Sequence, residues 1–371
     1  MIDAGSHPDS GVPYIPVPRA TDPHVKVQDL ALLEFAGPDT ELAKRFFTGF
    51  GLQHRQGDDG SLEFSAEAGA PVAVIYRQAA KATFAGPTFA VNTVAELEQL
   101  ATRTGAPPPA PLQLPGHPTG VTLTDPNGVT VKVAHFEAWR ALPSCGQAPV
   151  VNRGDDKPRI NATRRPQRAP SRVLRLGHMV LGTPEWEATA RFYIDTLGLI
   201  PSDVQSLPDG RPAVAFLRCD RGDRPSDHHT FVVARLPVMD FEHAAFEVPD
   251  LDEVGMGGQM LREGGFRRAW GIGRHILGSQ IFDYWFGPDG RKFEHFADGD
   301  LFDAARPTRY HAMSVAGLSQ WGPPVPSAFL RPKLGWHEMM QLLRNLLGKS
   351  SFGFREMKLM ARAMRSTSLP D

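Results

Sequence analysis

Three side chains of suitable type for a metal centre stand out in this sequence: His178, His243 and Glu294. Each sits in a segment that reads as a β-strand, respectively RLGHMVLGT, HAAFEV and RKFEHF. Two imidazoles and one carboxylate on one side of an ion leave the other coordination positions open. That is the facial arrangement used by O₂-activating Fe(II) sites. Zinc accepts the same donors, so the triad alone does not name the metal. Three further residues have the right chemistry for proton work, namely His229, His275 and Tyr284. An imidazole titrates near neutrality and can shuttle protons. His228 adjoins His229, and neighbouring residues of a strand face opposite ways, so only one is expected to face the metal. The same alternation makes Glu294 and His295 rivals for the inward position. Taken singly, each residue has a bland reading: a strand histidine is commonly a satisfied core or surface residue, and a strand glutamate is commonly solvated. The joint pattern carries the inference.

These groups must be positioned by something, and the sequence holds one module twice. QDLALLEF (28–35) reads as a strand, and TELAKRFFTGFGL follows as a helix with Leu42, Phe46 and Phe47 at helical spacing. A second unit begins at 175 with RLGHMVLGT, then PEWEATARFYIDTLGL, with Thr183 the expected N-cap, Pro184 in the first turn and Gly198 at the end. The later parts match too. TFAGPTFAVNTVAELEQLATRTG (83–105) parallels MDFEHAAFEVPDLDEVGMGGQMLREGG (239–265), and LTDPNGVTVKVAHF (123–136) parallels YWFGPDGRKFEHFADG (284–299). Pro-x-Gly between apolar runs predicts hairpins, because glycine accepts positive φ without steric cost. The PDG turn at 288–290 lacks the several glycines and following helix of a phosphate cradle.

The expected fold is therefore α+β: tandem βαβββ modules forming two cupped, barrel-like mixed sheets, with a C-terminal extension. The expected layout is an N-terminal arm (1–26), a metal-free module (27–137), a Pro/Arg-rich linker (138–171), a metal-binding module (172–302) and a tail (303–371). The tail contains SQWGPPVPSAF, with Trp321 a candidate to close a pocket, and ends in a basic amphipathic stretch. Where the second module has His178, His243 and Glu294, the first has Ala31, Gly86 and Lys132. A scaffold that folds without those donors does not need them for structure, which favours chemistry.

Composition sets the outer bounds. The chain has 371 residues, 41% of them hydrophobic, and a formal net charge of −1. That is not the strong basic field of a nucleic-acid binder. Its two cysteines are too few for a disulfide scaffold. No apolar run is long enough to cross a bilayer, and the first residues lack the pattern of a signal peptide. A soluble cytoplasmic chain, forming homo-oligomers and not bound to membrane, is expected.

On these residues the sequence resembles the type I extradiol ring-cleavage dioxygenases, two-domain members of the vicinal oxygen chelate family. The segment GIGRHILGSQIFDYWFGPDGRKFEHF (271–296) is similar to the family's signature, and DHHTFVV (227–233) to its HHT motif. The resemblance covers about 25–325. It implies that His178, His243 and Glu294 are iron ligands. It implies that His229 is the acid/base, and that His275 and Tyr284 contact a substrate oxygen. It further implies Fe(II), with Mn(II) the alternative metal, and a catechol and O₂ as substrates. The expected reaction opens the ring beside its two hydroxyls and inserts both oxygen atoms. The competing readings are an isomerase or hydrolase of the same superfamily and a metal-free protein that binds aromatic ligands.

Overall fold

The computed structural model describes residues 4–146, 150–330 and 336–370. Its core is two sheets built on one plan. In the first module, strands Asp29–Gly37 and Thr83–Val91 run antiparallel at the centre of an eight-stranded sheet. Each has a parallel neighbour on its far side, Val74–Gln78 and Thr130–His135. In the second module, Arg175–Thr183 and Asp240–Glu247 take the central places of a nine-stranded sheet. Their parallel neighbours are Phe231–Arg235 and Lys292–Ala297. Each half supplies a strand, a helix and further strands, as the sequence predicts.

The helices start and stop where local chemistry dictates. Asp39 accepts the Leu42 N–H ahead of helix Thr40–Phe50, which ends at Gly51 with φ of 109°. There glycine is required, since a Cβ would lie 1.9 Å from the Ser171 carbonyl oxygen. Thr93 and Glu96 form a reciprocal capping box on helix Val94–Thr104. Asp250 caps helix Leu251–Glu263. The expected cap at Thr183 is corrected. The helix starts only at Trp186, and Thr183 ends the preceding strand, its hydroxyl accepting the Glu185 N–H at 2.9 Å. Both Pro-x-Gly turns join antiparallel pairs, Thr119–Thr124 with Thr130–His135 and Ile281–Phe286 with Lys292–Ala297.

The modules share one apolar core. Phe35 of the first packs edge-on against Phe241 and Phe293 of the second, with ring centroids 5.0 and 5.8 Å apart. Such aromatic pairs add to the burial of area itself. The N-terminal arm is tied to the second module, since the N–H groups of His24 and Val25 donate to the carbonyls of Asp195 and Thr196, and Val27 just after it donates to Leu197. The tail adds an edge strand, Arg309–Ala312, parallel to Ile200–Ser206. It continues through helices Ser327–Leu330, Trp336–Arg344 and Phe354–Ala363. The expected basic amphipathic stretch is thus two helices, with residues 331–335 outside the described part. No described helix is long and apolar enough to cross a membrane.

Register shows how the sister module differs. Glu294 lies opposite Ala245, as Lys132 lies opposite Thr88, and this matches Glu294 to Lys132. His178 lies opposite Ala245 and Leu32 lies opposite Thr88, so the counterpart of His178 is Leu32 and not Ala31. A register shift between Leu30 and Leu32 moves the pairing by one residue. Gly86 cannot be replaced by a ligand in place, because a Cβ there would lie 1.9 Å from the Thr130 carbonyl oxygen. Lys132 pairs instead with Glu34, which also accepts from Arg77 at 2.8 Å. In the first module this position is taken up by ion pairs in place of metal donors.

Candidate metal centre

Three neighbouring strands bring the triad together. The strand Arg175–Thr183 alternates, turning Met179 and Leu181 into the apolar core and His178 and Val180 into the cup. Strand Lys292–Ala297 places Glu294 in the cup, and Phe293 goes to the core. Glu294 Oε2 lies 3.4 Å from His178 Nε2 and 3.5 Å from His243 Nε2. One donor atom from each residue falls within 4.8 Å of the others, and all three residues are buried. His295, the rival for the inward place, faces the other way. Its ring stacks on Phe50 at 3.7 Å and bonds the Phe50 carbonyl at 2.7 Å.

The electrostatics of the cluster fit a divalent cation. Glu294 is fully buried, and no donor meets either carboxylate oxygen in ordinary hydrogen-bond geometry, although the Tyr284 hydroxyl is close enough to lower its pKa. An uncompensated buried carboxylate is costly. Burial accordingly raises its pKa, with the His243 and His275 imidazoles pulling it partly back. The histidines shift the opposite way. Burial holds His178 well below the usual imidazole range and brings His243 to about 4. Both rings are therefore neutral donors at physiological pH, as ligation requires. The Glu242 carboxylate bonds His243 Nδ1 and leaves Nε2 for the cluster. Glu242 in turn pairs with Lys292. A carboxylate behind a ligating imidazole is a recurrent arrangement of metal sites. His178 Nδ1 has no partner among the described residues, and its ring is held between His229, at 4.1 Å, and Phe296, at 5.4 Å.

The structure brings the expected proton-handling residues to the same cup. His275 Nδ1 bonds the Leu318 carbonyl at 2.7 Å, and its Nε2 meets the Tyr284 hydroxyl at 2.9 Å. A carbonyl can only accept, so Nδ1 carries the proton and a neutral His275 receives the tyrosine O–H at Nε2. His275 Nε2 is 3.9 Å from Glu294 Oε1. Burial and the nearby Glu294 carboxylate push the Tyr284 hydroxyl well above its ordinary value. His229 is buried beside His178, and burial lowers its pKa well below the usual range.

A cavity of about 320 Å³ lies over these groups. His178, His229, His243, His275 and Tyr284 form its polar side, with Gln205, Gln280 and Ser314. Its apolar side includes Phe216, Val232 and Trp270, with Leu318, Phe329 and Met360 from the tail. Trp321, the expected cover, does not line it. That side chain is exposed, and only its backbone is engaged, through the Arg274 N–H at 3.0 Å. Arg274 itself is bound to the Ser279 carbonyl and to Asp298. Asp283 and Trp285, on either side of Tyr284 in the chain, do not line the cavity and are buried together, the indole N–H donating to the carboxylate.

Sequence reasoning missed Glu242 and the contact of His228 with His229, although His228 stays out of the cavity as expected. Glu242 adjoins a ligand histidine and should face the opposite side, but the pairing shifts between Phe241 and His243 and brings both side chains together. His228 was set aside on alternation. Residues 228–230 in fact precede the strand Phe231–Arg235, and His228 Nδ1 lies 2.8 Å from His229 Nδ1.

The chain is similar in sequence and fold to several known proteins. Residues 175–295 match the family model described as Glyoxalase/Bleomycin resistance protein/Dioxygenase superfamily. Metapyrocatechase 2 of Cupriavidus necator is 35% identical over 220 residues. That match covers 58% of this chain and 64% of the relative, so the chain spans less than two thirds of that protein's length. An iron-dependent extradiol dioxygenase of Rhodococcus jostii (strain RHA1) is 30% identical over 138 residues, covering 32% of this chain and 44% of that protein. Among solved structures, the Mn(II)-bound glyoxalase of Novosphingobium aromaticivorans superposes with a TM-score of 0.69 at 21% identity. It covers 89% of this chain and 99% of its own, and shows that the fold is shared. The similarity to the Glyoxalase/Bleomycin resistance protein/Dioxygenase superfamily thus falls on residues 175–295, the module that carries His178, His243 and Glu294.

Proposed function

We propose that this chain is an extradiol dioxygenase. It opens the ring of a catechol beside its hydroxyls and yields a hydroxymuconic semialdehyde-type product carrying both atoms of O₂. The observation that carries this reading is the buried Glu294 carboxylate facing the free Nε2 atoms of His178 and His243, with His229, His275 and Tyr284 around one cavity. His178, His243 and Glu294 would hold Fe(II), with Mn(II) as the alternative ion. A metal held there would bind a catechol and O₂ together and let electrons pass between them. The relatives' names support this assignment: one is an iron-dependent extradiol dioxygenase and another a metapyrocatechase.

The chain's own groups divide the remaining work. Tyr284 presents its hydroxyl at the cavity, hydrogen-bonded to a neutral His275. A catechol O–H placed beside Tyr284 can pass its proton through that hydroxyl to His275 Nε2. His229 stands on the other side of His178 and handles protons where negative charge develops on oxygen. The apolar wall excludes water and orients the ring.

The same wall specifies the substrate class. No arginine or lysine lines the cavity among the described residues. Lys292, close behind it, is held by Glu242 and by the Phe329 carbonyl. A carboxylate on the substrate would enter without a partner, at a desolvation cost. The substrate is therefore a catechol bearing an uncharged, apolar substituent. The experiment is oxygen uptake by Fe(II)-loaded protein against catechols with phenyl, alkyl and carboxylate substituents. Uptake with the phenyl or alkyl compounds, and a poor kcat/KM with the carboxylate, is expected. A preference for the carboxylate compound would overturn the substrate assignment, and no uptake with any compound would overturn the activity.

A further inference from the structure

Behind His229 runs a chain of buried polar contacts that the ring-opening account does not use. His228 Nδ1 is 2.8 Å from His229 Nδ1. His228 Nε2 is 2.5 Å from Asp203 Oδ2. The other oxygen of that carboxylate, Oδ1, is 2.7 Å from His311 Nε2. Asp203 belongs to the strand Ile200–Ser206 and His311 to the tail's edge strand, which pairs with it. All four residues are buried. Phe216 and Phe302 flank the His228 ring at 5.5 and 5.4 Å, which fixes its plane.

Hydrogen-bond polarity assigns the protons. Burial alone would raise the Asp203 carboxyl, but its bonds to His228 and His311 bring it well below the usual range, so it accepts at both oxygens. Each imidazole therefore carries a proton on the Nε2 that faces it. One proton on each ring, at the nitrogen facing Asp203, satisfies both carboxylate oxygens. His228 Nδ1 is then a bare acceptor. The ring facing it, His229, must donate from Nδ1. The lone pair of His229 is left on Nε2, the nitrogen not taken up by this chain.

We infer that His228 and Asp203 are positioning residues that lock His229 in the Nδ1–H tautomer, so that its Nε2 starts each turnover as a proton acceptor in the cavity. The inference rests on the reading of His229 as the group that handles protons near the substrate. His311 anchors the far oxygen of Asp203. It lines an open pocket of about 780 Å³ together with residues of the N-terminal arm and the C-terminal tail. The tail, a segment outside the repeated modules, thus holds the end of this network.

The test is ¹⁵N–¹H correlation of histidine rings in the full chain, uniformly labelled at histidine and stripped of metal. The wild-type spectrum is expected to show His229 protonated at Nδ1 and bare at Nε2, with His228 bare at Nδ1. Asp203→Asn is expected to abolish that pattern. In the Fe(II)-loaded enzyme it should lower kcat on the order of 10²-fold while leaving the catechol KM within about twofold. A wild-type His229 carrying its proton on Nε2 would overturn the inference. So would an Asp203→Asn protein with unchanged ring signals or unchanged kcat. The wild-type spectrum decides the tautomer even if the variant fails to fold. It is recorded without iron or catechol, so its outcome is separate from that of the proposed ring cleavage.

Discussion

Glu242 bonds Nδ1 of its own chain neighbour, His243, and that contact turns the opposite nitrogen of the ring toward Glu294. The carboxylate fixes both the orientation and the tautomer of a ligand. Replacing it by an amide weakens both effects without touching the three donors. Glu242→Gln is expected to reduce Fe(II) affinity about 10- to 100-fold. Competition with a chromophoric chelator measures this. An affinity equal to wild type would show that His243 is oriented by packing alone.

Glu294 gives a pH-dependent prediction for the metal-free protein. Its folded pKa is raised above the ordinary 4.5 by burial. Linkage then requires that folding favours the protonated form, a contribution fully present below the unfolded pKa and lost as pH rises through the folded pKa. At neutral pH the bare carboxylate destabilises the metal-free fold. Glu294→Gln should bind no iron, yet unfold at a higher temperature than the metal-free wild type. The difference should shrink as pH falls through the raised pKa toward 4.5. Thermal unfolding followed by near-ultraviolet circular dichroism reads it, and a variant less stable at neutral pH would refute the argument.

Much of this site could be read from the residue types, and the exceptions have local causes. His178, His243 and Glu294 were legible because they differ in kind from their apolar or cationic counterparts in a repeated frame. The counterpart of His178 came out one residue off because the irregular pairing near Leu30 breaks the simple count. His228 stays out of the cavity, as expected, but its bond to His229 was not foreseen, because residues 228–230 precede the strand. Glu242 was missed for the related reason that the pairing shifts beside it. The tail's part of the wall was out of reach. Phe329, Leu318 and Met360 meet over the cup through tertiary packing, and no sequence period marks them.

Tyr284 and His275 form a pair whose parts can be separated. Tyr284→Phe keeps the aromatic ring beside Trp270 and Phe329 but removes the hydroxyl. Iron binding should be unchanged, since the hydroxyl is not among the three donors. Turnover should fall on the order of 10²-fold. Single-turnover oxygen uptake with saturating catechol distinguishes this from weaker binding, and a wild-type rate would remove Tyr284 from the proton path.

The tail wall predicts a change in selectivity. Phe329 is buried, contacts Tyr284 and Trp270, and holds Lys292 through its carbonyl. Phe329→Ala keeps that carbonyl but opens the cavity, at a stability cost of about 3–5 kcal/mol. The ratio of kcat/KM for a bulky over a small substituted catechol should rise. Paired steady-state assays check it, and an unchanged ratio would place the substituent elsewhere.

The account turns on one ion at His178, His243 and Glu294 placing both atoms of O₂ into a catechol. Its most direct test is turnover of an apolar-substituted catechol by Fe(II)-loaded protein under ¹⁸O₂, with mass spectrometry of the product. The account predicts a ring-opened product bearing two labelled atoms, before any exchange with water. An iron-loaded protein that leaves the ring intact, or yields a product without label, would contradict it.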